Sequence, residues 1–269
     1  MAAWDKMISV FPCVKRGPIQ RASVNGWRQS ISVREERVDP TGRIASDSSA
    51  KGRRRMENMD GDVMTKDIVI REFNIADRAV AARFAMEGMH LDRYVENALE
   101  RWIYEKYVIR EALARSNYLI GAYQDDKLVG FLFGCFKERP LPYRNSRFIF
   151  LQRLFKLLER LSPSSSRGDA YDAANRAMKA SLRSEPDVEL VFFAIDPACK
   201  GKGVGTKLLA AFERACAGMD MFLRTDDACT YQFYEHRGFV RAAERDVAMG
   251  GSKGTFTLKC MMYVKHVDA

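Results

Sequence analysis

The chain has 269 residues, 47% of them hydrophobic, which is enough for one or two domains with a sizeable core. Its net charge is +9, of which residues 1–66 carry +5 and the other 203 residues only +4. A mildly basic folded part argues against a dedicated nucleic-acid surface. No run approaches 18 apolar residues, so no transmembrane segment is expected.

The N-terminal region, residues 1–66, is poor in periodic apolar residues and rich in Arg, Ser, Asp and Gly. Such a composition buries too little surface to offset the entropy lost on ordering, which predicts a disordered extension. An equally weighted alternative is a mis-assigned start, with translation beginning at Met56, Met59 or Met64. In both cases we expect the folded domain to occupy residues 67–269.

The next elements alternate between strand and helix patterns. We expect a strand over 67–73, helices over 77–89 and 92–116, and a hairpin of strands 118–124 and 127–137. The second helix carries Trp102 and Tyr107 on a broad apolar face.

About 50 residues, roughly 139–186, separate this hairpin from the next strand pattern. Residues 148–161 form an amphipathic pattern with interleaved basic residues, the segment 162–168 breaks it, and residues 170–182 predict a second helix. We expect this insertion to select substrate, because long loops beside a rigid sheet often carry specificity. Packing against the domain is the default interpretation, and a membrane surface or a neighbouring subunit are the alternatives.

A glycine-rich loop follows the strand pattern of residues 188–195 and precedes a helix pattern over 206–217. The loop reads Lys200-Gly201-Lys202-Gly203-Val204-Gly205. Unpaired N–H groups at a helix start attract anions, glycines let the main chain curl around a phosphate, and two lysines add charge. A solvated turn with a helix cap is the alternative for the loop taken alone, and its spacing fits neither GxxxxGK[ST] nor GxGxxG.

A second signature follows about 30 residues later. After a strand pattern over 221–225, Tyr234 on a short aromatic helix is separated by three residues from the pair Gly238-Phe239. Two further strands, 239–248 and 254–265, complete the chain.

The two signatures together resemble those of the GNAT family of N-acetyltransferases. The loop matches the family pattern [QR]-x-x-G-x-[GA], except that Lys200 stands where Gln or Arg is usual, which keeps or adds charge but lacks the planar fork of Arg. The resemblance covers roughly residues 67–264. It implies an α/β fold with a central mixed, mostly antiparallel sheet of about seven strands, helices on both faces, and a helical insertion before the cofactor-binding strand.

The resemblance implies acetyl-CoA as the acyl donor. Its pyrophosphate would lie on the loop and helix start formed by Lys200, Gly201, Lys202, Gly203, Val204, Gly205 and Thr206. Its pantetheine would pair like an extra strand with the main chain of residues 188–195, including Ile195.

The resemblance also implies catalytic roles for two side chains. Glu189 would take the proton of the acceptor amine, directly or through water, and Tyr234 would give a proton to the leaving thiolate. The main chain of the cofactor-binding strand would stabilise the oxyanion. The alternatives are an exposed carboxylate at a strand end for Glu189 and a packed tyrosine at a helix end for Tyr234.

Four residues are candidates for contact with the acceptor. In this family the early helices border the acceptor groove, which suggests Trp102 and Tyr107, although core packing is the commoner fate of helical aromatics. Asp226 and Asp227 follow the strand 221–225, where they would attract a cationic amine or cap the next helix.

The predicted function is therefore an acetyl-CoA-dependent N-acetyltransferase acting on a primary amine of a small molecule or peptide, as a monomer or a homodimer. The alternative is a non-catalytic acetyl-CoA-binding sensor or an interaction module. The six cysteines and three histidines show no metal-ligand spacing, so no metal site is expected. Scattered cysteines fit a reducing cytoplasm, and Cys229 would lie near the acyl group or simply pack there.

Overall fold

The computed structural model describes residues 67–88, 98–143, 166–251 and 254–269. The strands are β1 (Val69–Glu72), β2 (Tyr118–Gln124), β3 (Lys127–Phe136), β4 (Val188–Ile195), β5 (Asp220–Asp226), β6 (Val240–Gly251) and β7 (Gly254–His266). The helices are α1 (Arg78–Gly88), α2 (Ala98–Ala114), α3 (Ser166–Ala180), α4 (Val204–Ala215) and α5 (Gln232–Glu235), with 3₁₀ turns at Ile75–Asp77 and Pro197–Cys199. The predicted extension 1–66 and the amphipathic segment 148–161 lie outside the described residues.

The seven strands form one mixed sheet in the order β1-β2-β3-β4-β5-β7-β6. Every neighbouring pair is antiparallel except β4 and β5, which are parallel. The tight hairpin between β2 and β3 turns through Asp125 and Asp126, both with positive φ, a conformation that Asp tolerates better than most residues. The structure confirms the predicted mostly antiparallel sheet of about seven strands.

Strand β4 contains an irregularity that changes which side of the sheet its residues face. Phe192 pairs with Phe133 and Leu190 pairs with Gly134, so Val191 is an extra residue opposite β3. Before this bulge Leu190 packs with α4, and after it Phe192 packs with α1 and α2. A β-bulge therefore re-aims the second half of β4.

Strands β4 and β5 pair over only three residues each. Val188, Glu189 and Leu190 lie opposite Met221, Phe222 and Leu223, and the register ends there. Among the described strands, the rest of β4 is paired with β3 alone. The two central strands thus diverge and leave one edge of β4 facing an opening in the sheet.

Helices cover both faces of the sheet. Helix α4 packs on one face through Leu208, Leu209 and Phe212, all fully buried. A Cβ atom on Gly134 would lie only 2.4 Å from the Phe212 ring, so a glycine is needed where this helix crosses β3. On the opposite face α1 and α2 form a core with β3 and β4.

Helix α3, the described part of the predicted insertion, packs against the other half of the sheet. Tyr171 and Met178 are buried against β5, β6 and β7. The helix begins at Ser166, inside the segment 162–168 that was predicted to break helices, so this part of the prediction is wrong. Packing against the domain, the default interpretation of the insertion, therefore describes α3. None of the described helices is long and apolar enough to cross a membrane.

Candidate functional site

A cavity of about 600 Å³ fills the opening between β4 and β5. One wall is the free edge of β4 from Leu190 to Ile195, and the other includes Arg224 and Thr225 at the end of β5. The glycine-rich loop closes one end. The residues that line the cavity elsewhere are Glu87, Gly88, Pro197, Cys199, Lys200, Gly201, Gly203, Val204, Gly205, Thr206, Cys229, Thr230, Phe233, Tyr234 and Arg237.

The loop owes its shape to two glycines with left-handed φ. Gly201 has φ 82° and Gly203 has φ 77°, conformations that other residues adopt only with strain. Gly203 is the N-cap of α4 and provides no side-chain cap, so the helix starts at Val204, two residues before its predicted start. A Cβ atom at either glycine would meet nothing within 4 Å, so glycine is required by backbone conformation and not by a protein contact.

Gly205 is favoured for a different reason. Its position inside the first turn of α4 is buried, and a Cβ atom there would lie 3.3 Å from both the Phe193 and the Phe233 rings. The absence of a side chain therefore lets the start of α4 approach β4 and α5 closely. The unpaired N–H groups of this first turn lie at the end of the cavity.

Tyr234 lies on α5 and contributes to the cavity wall. Its ring packs edge to face with Phe233 and Phe239, with centroids 5.4 and 5.7 Å apart. Burial raises the pKa of its phenol above the ordinary value, and the neighbouring Cys229 adds to this effect. The hydroxyl is therefore protonated at every physiological pH and is a hydrogen-bond donor.

Glu189 is held between two arginines. Arg115 Nη2 donates to Glu189 Oε1 at 2.9 Å, and Arg224 Nη2 donates to the same oxygen. Burial raises the pKa of Glu189, but the two guanidinium groups outweigh it, Arg224 first, and lower that pKa to about 2. The carboxylate does not belong to the cavity wall, and a group with so low a pKa is a weak base. Its role as the base stays a prediction, and the low pKa of this carboxyl argues against it.

The four candidate acceptor residues do not line the cavity. Trp102 is 54% exposed, with the Lys106 ammonium 3.5 Å above its ring, and Tyr107 packs against the core under α1 and α2. Asp226 Oδ1 accepts a hydrogen bond from the Ala228 N–H at 3.0 Å. Asp226 thus organises the turn after β5 but does not cap the next helix, α5, whose N-cap is Tyr231.

Asp227 joins that same turn to β7. Its Oδ1 accepts from the Lys259 N–H at 3.2 Å, and its own N–H donates to the Lys259 carbonyl at 3.1 Å. One carboxylate oxygen thus holds the turn to β7, and Asp227 is exposed and does not line the cavity. Contact of Asp227 with an acceptor stays a prediction without geometric support.

Sequence reasoning missed two arginines of the cavity, Arg224 and Arg237. Arg224 lies in a strand whose apolar neighbours dominate the pattern, and no local signal shows that its side chain reaches Glu189. Arg237 lies within the second signature, between Tyr234 and Gly238, but a pattern does not reveal a side-chain direction. Among the described residues no group of His, Cys, Asp and Glu is arranged to hold a metal ion.

The divergent central strands, the glycine-rich loop at a helix start and the adjoining tyrosine define the class of site found in acyl-group transferases. The model of the acetyltransferase (GNAT) family matches residues 84–239, more than half of the chain. The chain therefore belongs to the GNAT acetyltransferase family, as the two sequence signatures predicted.

Several solved structures resemble the chain at low sequence identity. Ard1 from Thermoplasma volcanium is 17% identical, covers 75% of this chain and 99% of its own, and gives a TM-score of 0.43. The ribosomal-protein-S18-alanine N-acetyltransferase from Escherichia coli is 12% identical, with coverages of 75% and 95% and a TM-score of 0.42. An aminoglycoside 6′-N-acetyltransferase complexed with coenzyme A is 13% identical, with coverages of 74% and 97% and a TM-score of 0.42. No curated protein matches the chain by sequence.

Proposed function

We propose that this protein transfers an acetyl group from acetyl-CoA to a primary amine of a small molecule or peptide by direct attack. The observation that carries the proposal is the cavity between β4 and β5, which joins an anion-binding helix start to an unpaired strand edge and to Tyr234. A CoA thioester has a matching set of parts: phosphates, an amide-bearing arm and a reactive carbonyl.

The phosphate end of the donor belongs on the loop from Lys200 to Thr206. The positive φ values of Gly201 and Gly203 expose main-chain N–H groups at the start of α4, where the helix dipole favours an anion. A Cβ atom at either glycine would meet no protein atom within 4 Å other than those of its chain neighbours, which leaves room for a phosphate. Lys200 and Lys202 are exposed and add positive charge.

The pantetheine arm belongs along the free edge of β4. Its two amides are spaced to pair with main-chain N–H and C=O groups as an added strand does. The edge from Val191 to Ile195 faces the cavity because β5 has already diverged. The arm would thus lead from the loop near Ile195 toward the bulge at Val191.

The chemistry at the carbonyl needs few groups. The amine nitrogen attacks the thioester carbon, a C–N bond forms, and the charge that develops on oxygen is stabilised by a main-chain donor of β4. The C–S bond then breaks, and the leaving thiolate receives a hydrogen bond or a proton from the Tyr234 hydroxyl.

The amine must also lose a proton. With a pKa near 10, only about one amine in a thousand is neutral at pH 7. Transfer of this proton to Glu189 is strongly uphill, because Arg224 and Arg115 lower the pKa of that carboxyl to about 2. We therefore give proton removal to solvent and expect the rate to rise with pH toward the pKa of the amine.

Calorimetric titration of the full chain with acetyl-CoA, CoA and ATP in parallel tests the proposal. Selective binding of the two CoA species is expected, followed by thiol release in the presence of a screen of primary amines. Failure of both CoA species to bind would overturn the proposal. Tight binding without turnover of any amine would instead support the sensor interpretation.

A further inference from the structure

Arg237 is positioned where the cofactor phosphates are proposed to bind. It follows α5, lines the cavity, and its Nη2 donates to Thr206 Oγ1 in the first turn of α4. Its Nη1 donates to the Phe233 carbonyl at 3.0 Å, and its guanidinium lies 3.7 Å above the Phe233 ring. The side chain is thus fixed in place beside the helix start before any ligand is bound.

Among the residues that the structure describes, no carboxylate balances the charge of Arg237. In the part of the chain that the structure describes, it forms no ion pair, and its buried Nε has no hydrogen-bond partner. The other cavity arginine, Arg224, is bound to Glu189. Arg237 therefore brings an uncompensated charge and an unused donor to the loop end of the cavity.

We propose that Arg237 is a phosphate ligand of the CoA donor, an inference that rests on the proposed function. A guanidinium presents a planar fork of donors that matches two oxygens of a phosphate, and charge-assisted bonds of this kind are about twice as strong as neutral ones. The Thr206 hydroxyl is a neutral acceptor, so a phosphate competes favourably for the same Nη2 group.

Because its guanidinium stacks on the Phe233 ring, Arg237 suits the role of phosphate ligand better than a lysine would at this position. Because the fork is held in place, little side-chain freedom is lost when a phosphate binds. The two lysines of the loop are exposed by comparison. Arg237 would therefore supply orientation as well as charge.

The test compares the full-length protein with Arg237→Gln and Arg237→Lys by calorimetric titration with CoA and with 3′-dephospho-CoA. Loss of a charge-assisted bond predicts that Arg237→Gln weakens CoA binding at least about tenfold. Arg237→Lys keeps the charge but not the fork and should fall between. Arg214→Gln, which removes a positive charge from the last turn of α4, is the matched control and should bind normally.

The two ligands distinguish the phosphate that Arg237 contacts. An equal loss for both places Arg237 on the pyrophosphate, whereas a loss confined to CoA places it on the 3′-phosphate. Unchanged affinity of a folded Arg237→Gln protein for both ligands would overturn the inference while leaving the proposed function intact. An equal loss in Arg214→Gln would also overturn it, and absence of binding by the wild type would overturn the proposed function itself.

Discussion

Tyr234 is the side chain on which the proposed reaction depends most directly. Tyr234→Phe keeps the ring and its edge-to-face contacts with Phe233 and Phe239 and removes only the hydroxyl. We expect turnover to fall by about 10² to 10⁴, because the leaving thiolate loses its donor, with CoA affinity nearly unchanged. Steady-state kinetics and calorimetry measure the two effects separately. Normal turnover with a large loss of affinity would reject Tyr234 as the donor.

The surroundings of Glu189, in contrast to those of Tyr234, favour a structural role over a catalytic one. Glu189→Gln leaves Arg115 and Arg224 without their carboxylate, and breaking a buried ion pair costs about 3–5 kcal/mol. We expect a loss of this order in the free energy of unfolding in urea at pH 7. Glu185→Gln, which removes an exposed partner of Lys137, is the control and should change stability little.

The pH dependence of stability provides a second readout for Glu189. Its pKa of about 2 in the folded protein lies below the usual 4.5, so its stabilising effect is present above about pH 4.5 and is lost as pH falls toward 2. In the Glu189→Gln protein the free energy of unfolding should therefore change less between about pH 4.5 and pH 2 than in the wild type. Unchanged stability combined with a changed pH–rate profile would instead make Glu189 the catalytic base.

Substitution of Gly203 tests whether the loop needs the left-handed backbone conformation at this position. Gly203→Val forces a β-branched residue into φ 77° at the helix start and fills space proposed for a phosphate. We expect at least a tenfold loss of CoA affinity. Gly218→Val is a matched control, because Gly218 has φ 74° with equally open surroundings but lies outside the cavity. Equal loss in both variants would show that the effect comes from general strain and not from the site.

The packing of α4 on β3 determines how closely this helix approaches the sheet. Gly134→Ala places a Cβ atom 2.4 Å from the fully buried Phe212 ring, and overpacking of this kind costs about 1–3 kcal/mol. The double variant Gly134→Ala/Phe212→Leu should lose less stability than the sum of the losses of the two single variants, because the smaller leucine makes room for the added methyl group. Urea unfolding of the wild type and the three variants measures this difference. Strictly additive effects would contradict the contact.

The sequence predicted individual strands and helices better than it predicted the contacts between them. The β-favouring composition of β2 and β3 around the Asp125-Asp126 turn and the apolar spacing in α4 are local, so their patterns place these elements within a few residues. The bulge at Val191 is not visible in the run of apolar residues from Leu190 to Ile195, because valine, leucine and phenylalanine suit both faces of a buried strand. That bulge nevertheless decides which side chains of β4 face which helices.

At the scale of the whole molecule, a ligand between β4 and β5 links strands that do not pair with each other there. If CoA binds only the folded state, it should raise the free energy of unfolding by about 2.7 kcal/mol at a CoA concentration 100-fold above Kd. We expect the thermal unfolding midpoint of the full chain to rise by several degrees with CoA and not with ATP. A similar rise with both ligands would point to a general anion effect.

The sequence by itself determined the strand and helix patterns, the glycine loop, Tyr234 and the family resemblance, because each depends on residues close together in the chain. Only the tertiary structure decided the surroundings of Glu189, whose partners Arg115 and Arg224 lie 74 and 35 residues away. It likewise brought Arg237 to Thr206, 31 residues earlier. Such partners depend on strand register, a single bulge and the divergence of two strands, and these follow from packing of the whole chain.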